Sequence, residues 1–153
     1  MSIRTYPAAV LRKKCEPLTA IDSFEKKLFS DMAAVMYEVA GIGLAAPQVG
    51  VTKRVIVLDC DSGILKMANP RLIRKRGDSS MEEGCLSVPK RYVTIRRADE
   101  IKVSYLDEKG RELTNFFSGL AARIIQHEID HLNGKLIIDY LSWYKKIFQK
   151  RGE

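Results

Sequence analysis

Gln126 to Gly134 reads QHEIDHLNG and holds both histidines of the chain, His127 and His131, four residues apart with Glu128 beside the first. Upstream, Leu120, Ile124, His127 and His131 recur at intervals of four, three and four, and Asn133-Gly134 supplies a stop signal. The spacing therefore predicts a helix from about Ser118 to Asn133. At 3.6 residues per turn, positions four apart lie about 40° from eclipsed, so both imidazoles project from one face within reach of one ion. Leu120 and Ile124 turn that face inward, and buried imidazoles need partners. The H-E-x-x-H order also sets Glu128 where it reaches a water on the metal without occupying the metal.

A catalytic divalent metal commonly takes three protein ligands and keeps one position open. No third histidine exists, which argues against the extended zinc-protease pattern and leaves a carboxylate or a cysteine. Cys15 sits in the charged stretch KKCEP, and Cys60 follows the apolar run VIVLD, where a small core filler is an equal reading. Cys85 follows Gly84 in EEGCLSVP, where a short extended segment can present a thiolate and a peptide N–H together.

Outward from the histidine helix, Asp22 or Ser23 caps a first helix with Phe24, Leu28, Met32, Val35, Met36 and Val39 as its apolar stripe and Gly41 to end it. VIVLD, Val55 to Asp59, reads as a buried strand, KMANPRLI as a strand interrupted around Pro70, and RKRGDSSMEEG as polar and irregular. VTIRR and IKVSYLD are β-branched, and the turn chemistry of Asp107 to Gly110 returns the chain as RELTNFF, an antiparallel hairpin. No repeat, linker or second domain is visible, so 1–153 reads as one domain. Residues 143–153 alternate apolar and basic residues, as a basic amphipathic tail would.

With 153 residues the chain is long enough to bury roughly 70% of its unfolded surface without disulfides. No apolar run approaches the roughly 20 residues of a membrane span. Three cysteines without framework spacing, and no secretory leader pattern, point to a reducing cytoplasmic setting. The net charge of +7 admits a competing reading, a basic RNA-binding module, though no RNA-recognition signature accompanies it. GIGLAA imitates a dinucleotide fingerprint, but it follows a helix and precedes a strand, the reverse of what a phosphate loop requires. No nucleotide cofactor is expected.

GIGLAAPQVG (Gly41 to Gly50), EGCLS (Glu83 to Ser87) and QHEIDHLNG together resemble the three signature motifs of peptide deformylases, in the family's order and with similar separations. The resemblance implies an α+β fold in which partly antiparallel sheets pack around a central helix carrying H-E-x-x-H. It implies removal of the formyl group from N-formylmethionyl nascent peptides, with metal-bound water as nucleophile and Glu128 as general acid/base. The metal ligands would be Cys85, His127 and His131, and the ion iron(II), with zinc, nickel or cobalt as substitutes. Gln48 and the backbone N–H of Leu86 would bind the carbonyl oxygen, and Gly43 would lie beside the substrate backbone. Ile42, Glu83, Leu120, Arg123 and Ile124 would form the methionine pocket, with the Arg123 head snorkelling to solvent. Glu83 needs a cation there, and Arg97 is the candidate. Many family members have glycine where this chain has Lys90, which makes the mouth of the site more basic. Residues 143–153 read first as a helix that packs on the body and shows solvent its lysines; by similarity to longer-tailed members, a contact of the basic face with the ribosome is the alternative. A different metal amidase or peptidase built on the same ligands is the remaining enzymatic alternative.

Overall fold

The computed structural model describes residues 1–141, so the basic tail read over residues 143–153 lies outside the described residues. Helix α1 (Ser23–Glu38) opens with the Asp22 backbone N–H donating to the Glu25 carboxylate at 3.0 Å. It buries Leu28, Phe29, Met32, Val35 and Met36. Two stripe positions expected from the sequence, Phe24 and Val39, are instead exposed. Phe24 lies at the first turn, under the Lys53 ammonium, while Phe29 completes the buried face. Ala40 takes the left-handed conformation at φ 54°, and Gly41 N–H closes the helix onto Met36 O at 2.9 Å.

Strands β1 (Gly43–Ala45), β2 (Val55–Asp59), β3 (Ile64–Arg76), β6 (Glu100–Leu106) and β7 (Glu112–Ser118) form an antiparallel sheet in the order β1-β2-β3-β6-β7. Strands β4 (Ser79–Cys85) and β5 (Val88–Arg97) pair separately. The run VIVLD is continuously apolar because both faces of β2 are covered. Val55 and Val57 pack with α1, while Ile56 and Leu58 pack with α2 (Gly119–Leu132). Asn69-Pro70 interrupts β3 as a bulge, with Asn69 at φ 50° and its amide bonded to both backbone groups of Leu18 at 2.8 Å. The stretch expected to be irregular, RKRGDSSMEEG, instead ends β3 and builds β4. Its exposed polar residues carry no apolar alternation by which a strand is read.

Helix α2 carries the histidines. Ala122, Ile125, Ile129 and Leu132 pack on Ile56, Leu58, Met67, Val103 and Tyr105 of the five-stranded sheet. Its other side bonds the second sheet, with Arg123 donating to the backbone carbonyls of Ile95 at 2.9 Å and Ser79 at 2.7 Å. Its end is closed by Gly134 at φ 73°, where a β-carbon would stand 2.5 Å from Arg12 O.

Candidate metal centre

The helix places the His127 and His131 rings 5.1 Å apart, and the end of β4 brings Cys85 to them. One ring nitrogen of each histidine and the Cys85 sulfur all lie within 4.8 Å of one another. His131 Nε2 stands 3.3 Å from Cys85 Sγ, a separation that suits donors about 2.1 and 2.3 Å from one tetrahedral ion. His131 is buried with Nδ1 unpaired among the described residues, and Glu128 Oε2 is likewise buried without a partner. These features fit a divalent cation held by one thiolate and two imidazoles. Cys15 and Cys60 are not in the group. Cys15 belongs to the core, where burial pushes its thiol up to about 11, and burial with the nearby Asp59 and Asp61 raises Cys60.

Burial, with the charges of His127 and Arg97, drives His131 well below its ordinary value, leaving the neutral imidazole that ligation requires. Burial opposes a proton on His127, but hydrogen bonds with Cys85 and Glu83 outweigh it and hold the pKa at about 10. Cation binding there displaces a proton. Burial lifts the Glu128 carboxyl to about 7, against the pull of His127 and Arg97. A β-carbon on Gly43 would lie 2.7 Å from both Glu128 Oε1 and Ile124 Cγ2, so glycine is required there for β1 to press against the acid.

Gln48 is held by the short helical turn Ala46–Val49, which begins with Pro47 in its first turn. Its Oε1 accepts from Ala45 N–H at 2.9 Å, so Nε2 is turned toward Ser87 Oγ at 3.1 Å and Cys85 Sγ at 3.7 Å. Gln48, Leu86, Gly43, Ile42, Leu120 and Ile124 line a cleft of about 550 Å³ that also reaches Cys85, His127 and Glu128. Leu120 and Ile42 are about half exposed at its mouth, and Ile124 is buried at its wall.

Glu83 also borders the cleft, but its carboxylate is committed inward. Oε1 meets His127 Nδ1 at 2.9 Å and accepts from Arg97 Nη2 at 2.9 Å, while Oε2 accepts from Arg97 Nε and Arg123 Nη1, each at 2.7 Å. The Arg123 head is therefore buried on Glu83 rather than snorkelling to solvent, because the interior supplies its counterion. The sequence reading missed Asp130, which accepts from Arg97 at 3.0 Å and from the Tyr140 hydroxyl at 2.5 Å. It also missed fully buried Ser87. Asp130 lies inside H-E-x-x-H, so only its position signalled a role.

Two imidazoles and a thiolate grouped within 4.8 Å, with a buried acid lining the same cleft, suit a metal-dependent hydrolase on an α+β fold. The polypeptide deformylase family model matches residues 1–146. A peptide deformylase of Nitrosococcus oceani is 46% identical over 149 residues, covering 95% of this chain and 89% of that protein. The crystal structure of a Legionella pneumophila peptide deformylase superposes with TM-score 0.92 at 40% identity, covering 98% of this chain and 90% of that one. An Acinetobacter baumannii peptide deformylase with Met-Ala-Ser bound gives TM-score 0.89 at 32% identity over 92% of this chain and 98% of that one. The chain belongs to the polypeptide deformylase family.

Proposed function

We propose that the chain hydrolyses the formamide of N-formylmethionyl peptides as one catalytic domain over residues 1–153, with Cys85, His127 and His131 holding iron(II). Zinc, nickel or cobalt satisfy the same donors. The observation that supports this reading best is the grouping of those three donor atoms within 4.8 Å of one another, beside a buried Glu128 bordering the cleft. A bound cation supplies Lewis acidity toward a carbonyl and acidifies water.

The remaining work falls to the chain. Glu128 takes a proton from water and later delivers it to the leaving amine, so that formamide and water become formate and a free N-terminus. Gln48 Nε2 and the Leu86 N–H donate to the oxygen on which negative charge gathers, an arrangement in which one donor is typically worth about 2.7–4 kcal/mol. Ile42, Leu120 and Ile124 offer apolar surface to the unbranched methionine thioether, while Arg123 and Glu83 brace the wall. The Met-Ala-Ser held by the Acinetobacter relative is consistent with a peptide lying in this cleft.

Anaerobic metal analysis coupled to turnover tests the reading. Protein carrying one iron per chain is expected to deformylate a formyl-Met peptide and to leave the acetyl-Met analogue intact. Equal turnover of the two would instead mark a general metal amidase. Cytoplasmic residence and a ribosome contact through residues 143–153 belong to the same proposal. The contact rests on the composition of that tail, and unchanged ribosome co-sedimentation after truncation beyond Ser142 removes it.

A further inference from the structure

Helix α1 covers only part of the sheet face turned away from α2. Ala68 of β3 and its partner Leu106 of β6 join the α1 cluster, but the register beyond them leaves a three-by-three grid on that same face. Its rows are Arg71, Ser104 and Thr114; Arg74, Lys102 and Phe116; and Arg76, Glu100 and Ser118. The alternate residues Ile101, Val103 and Tyr105 point into the core, which fixes this set as the outer one.

The grid holds four cations against one carboxylate. Arg74 and Lys102 stand directly opposite each other, a like-charge pairing that weakens a sheet. Elsewhere exposed cations find carboxylates, as Lys27 does with Asp31, Arg96 with Asp78 and Arg111 with Asp107. Among the described residues Arg71, Arg74, Arg76 and Lys102 have no ion-pair partner, and Glu100 does not close onto Arg76. Lys102 rests instead over the ring of Phe116 at 5.3 Å, and Phe116, 70% exposed, is the most exposed large apolar residue described.

We propose that this face binds single-stranded RNA. Unneutralised cations, Arg74 and Lys102 about 4.8 Å apart across neighbouring strands and Arg74 and Arg76 about 6.6 Å apart along β3, match a chain of phosphates. Exposed Thr114 and Ser118 add hydroxyl donors, and an uncovered aromatic ring beside a cation gives an unpaired base a stacking partner. An acidic protein would use the charges but not the ring. The face lies on the side of the sheet opposite α2, so RNA bound there leaves the cleft open.

The test is fluorescence anisotropy of the full chain with a labelled oligouridylate between about 50 and 200 mM KCl. Binding is expected with Kd below about 100 µM and a log–log salt slope of about −2 to −3, as three or four phosphate contacts give on a single strand. Arg74→Glu with Lys102→Glu is expected to weaken binding at least about ten-fold and to flatten the slope by about one or more. Phe116→Ala is expected to weaken it about five-fold with the slope kept. All of these variants should unfold at the wild-type temperature and deformylate at the wild-type rate. Absent binding overturns the proposal. So does an affinity that survives the double reversal, which would place RNA elsewhere on the chain, or equally tight binding of polyglutamate, which would mark an acidic-protein surface.

Discussion

Glu128→Gln is expected to keep its metal and its fold while losing about 10²- to 10⁴-fold in kcat. Glu128 is 4% exposed, yet its Oε2 makes no hydrogen bond to protein, so the amide removes no structural anchor. The substitution is isosteric and preserves the close approach to Gly43. What it removes is the capacity to accept a proton from water and return one to the departing nitrogen. Burial, outweighing the charges of His127 and Arg97, lifts the carboxyl to about 7, and beside a bound cation it titrates lower. The acid limb of kcat/KM in the wild-type enzyme is therefore expected below pH 7 and absent from whatever activity the amide variant retains. Metal content, thermal unfolding and the pH profile of a formyl-Met peptide check the three parts separately. A variant with full metal and full turnover removes Glu128 from the chemistry.

The residues proposed to carry this chemistry could be placed together from the sequence for a local reason. Helical spacing brings His127, Glu128 and His131 to neighbouring directions whatever the rest of the chain does, and α2 runs from Gly119 to Leu132 as that spacing predicts. The β6–β7 hairpin was legible for a similar reason, its turn from Asp107 to Gly110 being written in four adjacent residues. Strand β4 was hidden because a mostly exposed polar strand has no apolar period. The surroundings of Glu83 were legible only in part. Arg97, expected as its cation, does bind it, while its other partners Arg123 and His127 lie 40 and 44 residues away, distances over which composition says nothing about contact. Arg123 shows the error this causes, since a long charged side chain on a partly apolar helix reads as a snorkelling one until its buried counterion is known.

That counterion carries the second large expected effect. Glu83→Gln should destabilise the protein at pH 7 by about 3–5 kcal/mol, because it leaves buried Arg123 facing an uncharged amide and buried Arg97 with Asp130 alone as its counterion. Arg97 is 6% and Arg123 7% exposed, so water cannot replace the lost charge. The sign of the pH dependence follows from the carboxyl itself. Burial raises its pKa, but hydrogen bonds with His127 and Arg97, the Arg97 charge and the bond from Arg123 outweigh burial and hold it at about 2, below the ordinary 4.5. A depressed carboxyl contributes stability that is complete above its unfolded value and disappears as pH falls from about 4.5 to about 2. A gap of that size corresponds to about 3 kcal/mol, in line with the mutational expectation. Urea unfolding of the two proteins should therefore differ most near neutrality and converge in acid, and metal lost at low pH is common to both. Because Glu83 Oε1 also fixes His127 through Nδ1, the variant is expected to lose metal to a chelator at least about ten-fold faster. A midpoint unchanged at pH 7 would show that the carboxylate is dispensable to the folded state, and the ion-pair account of α2 and β5 would fall with it.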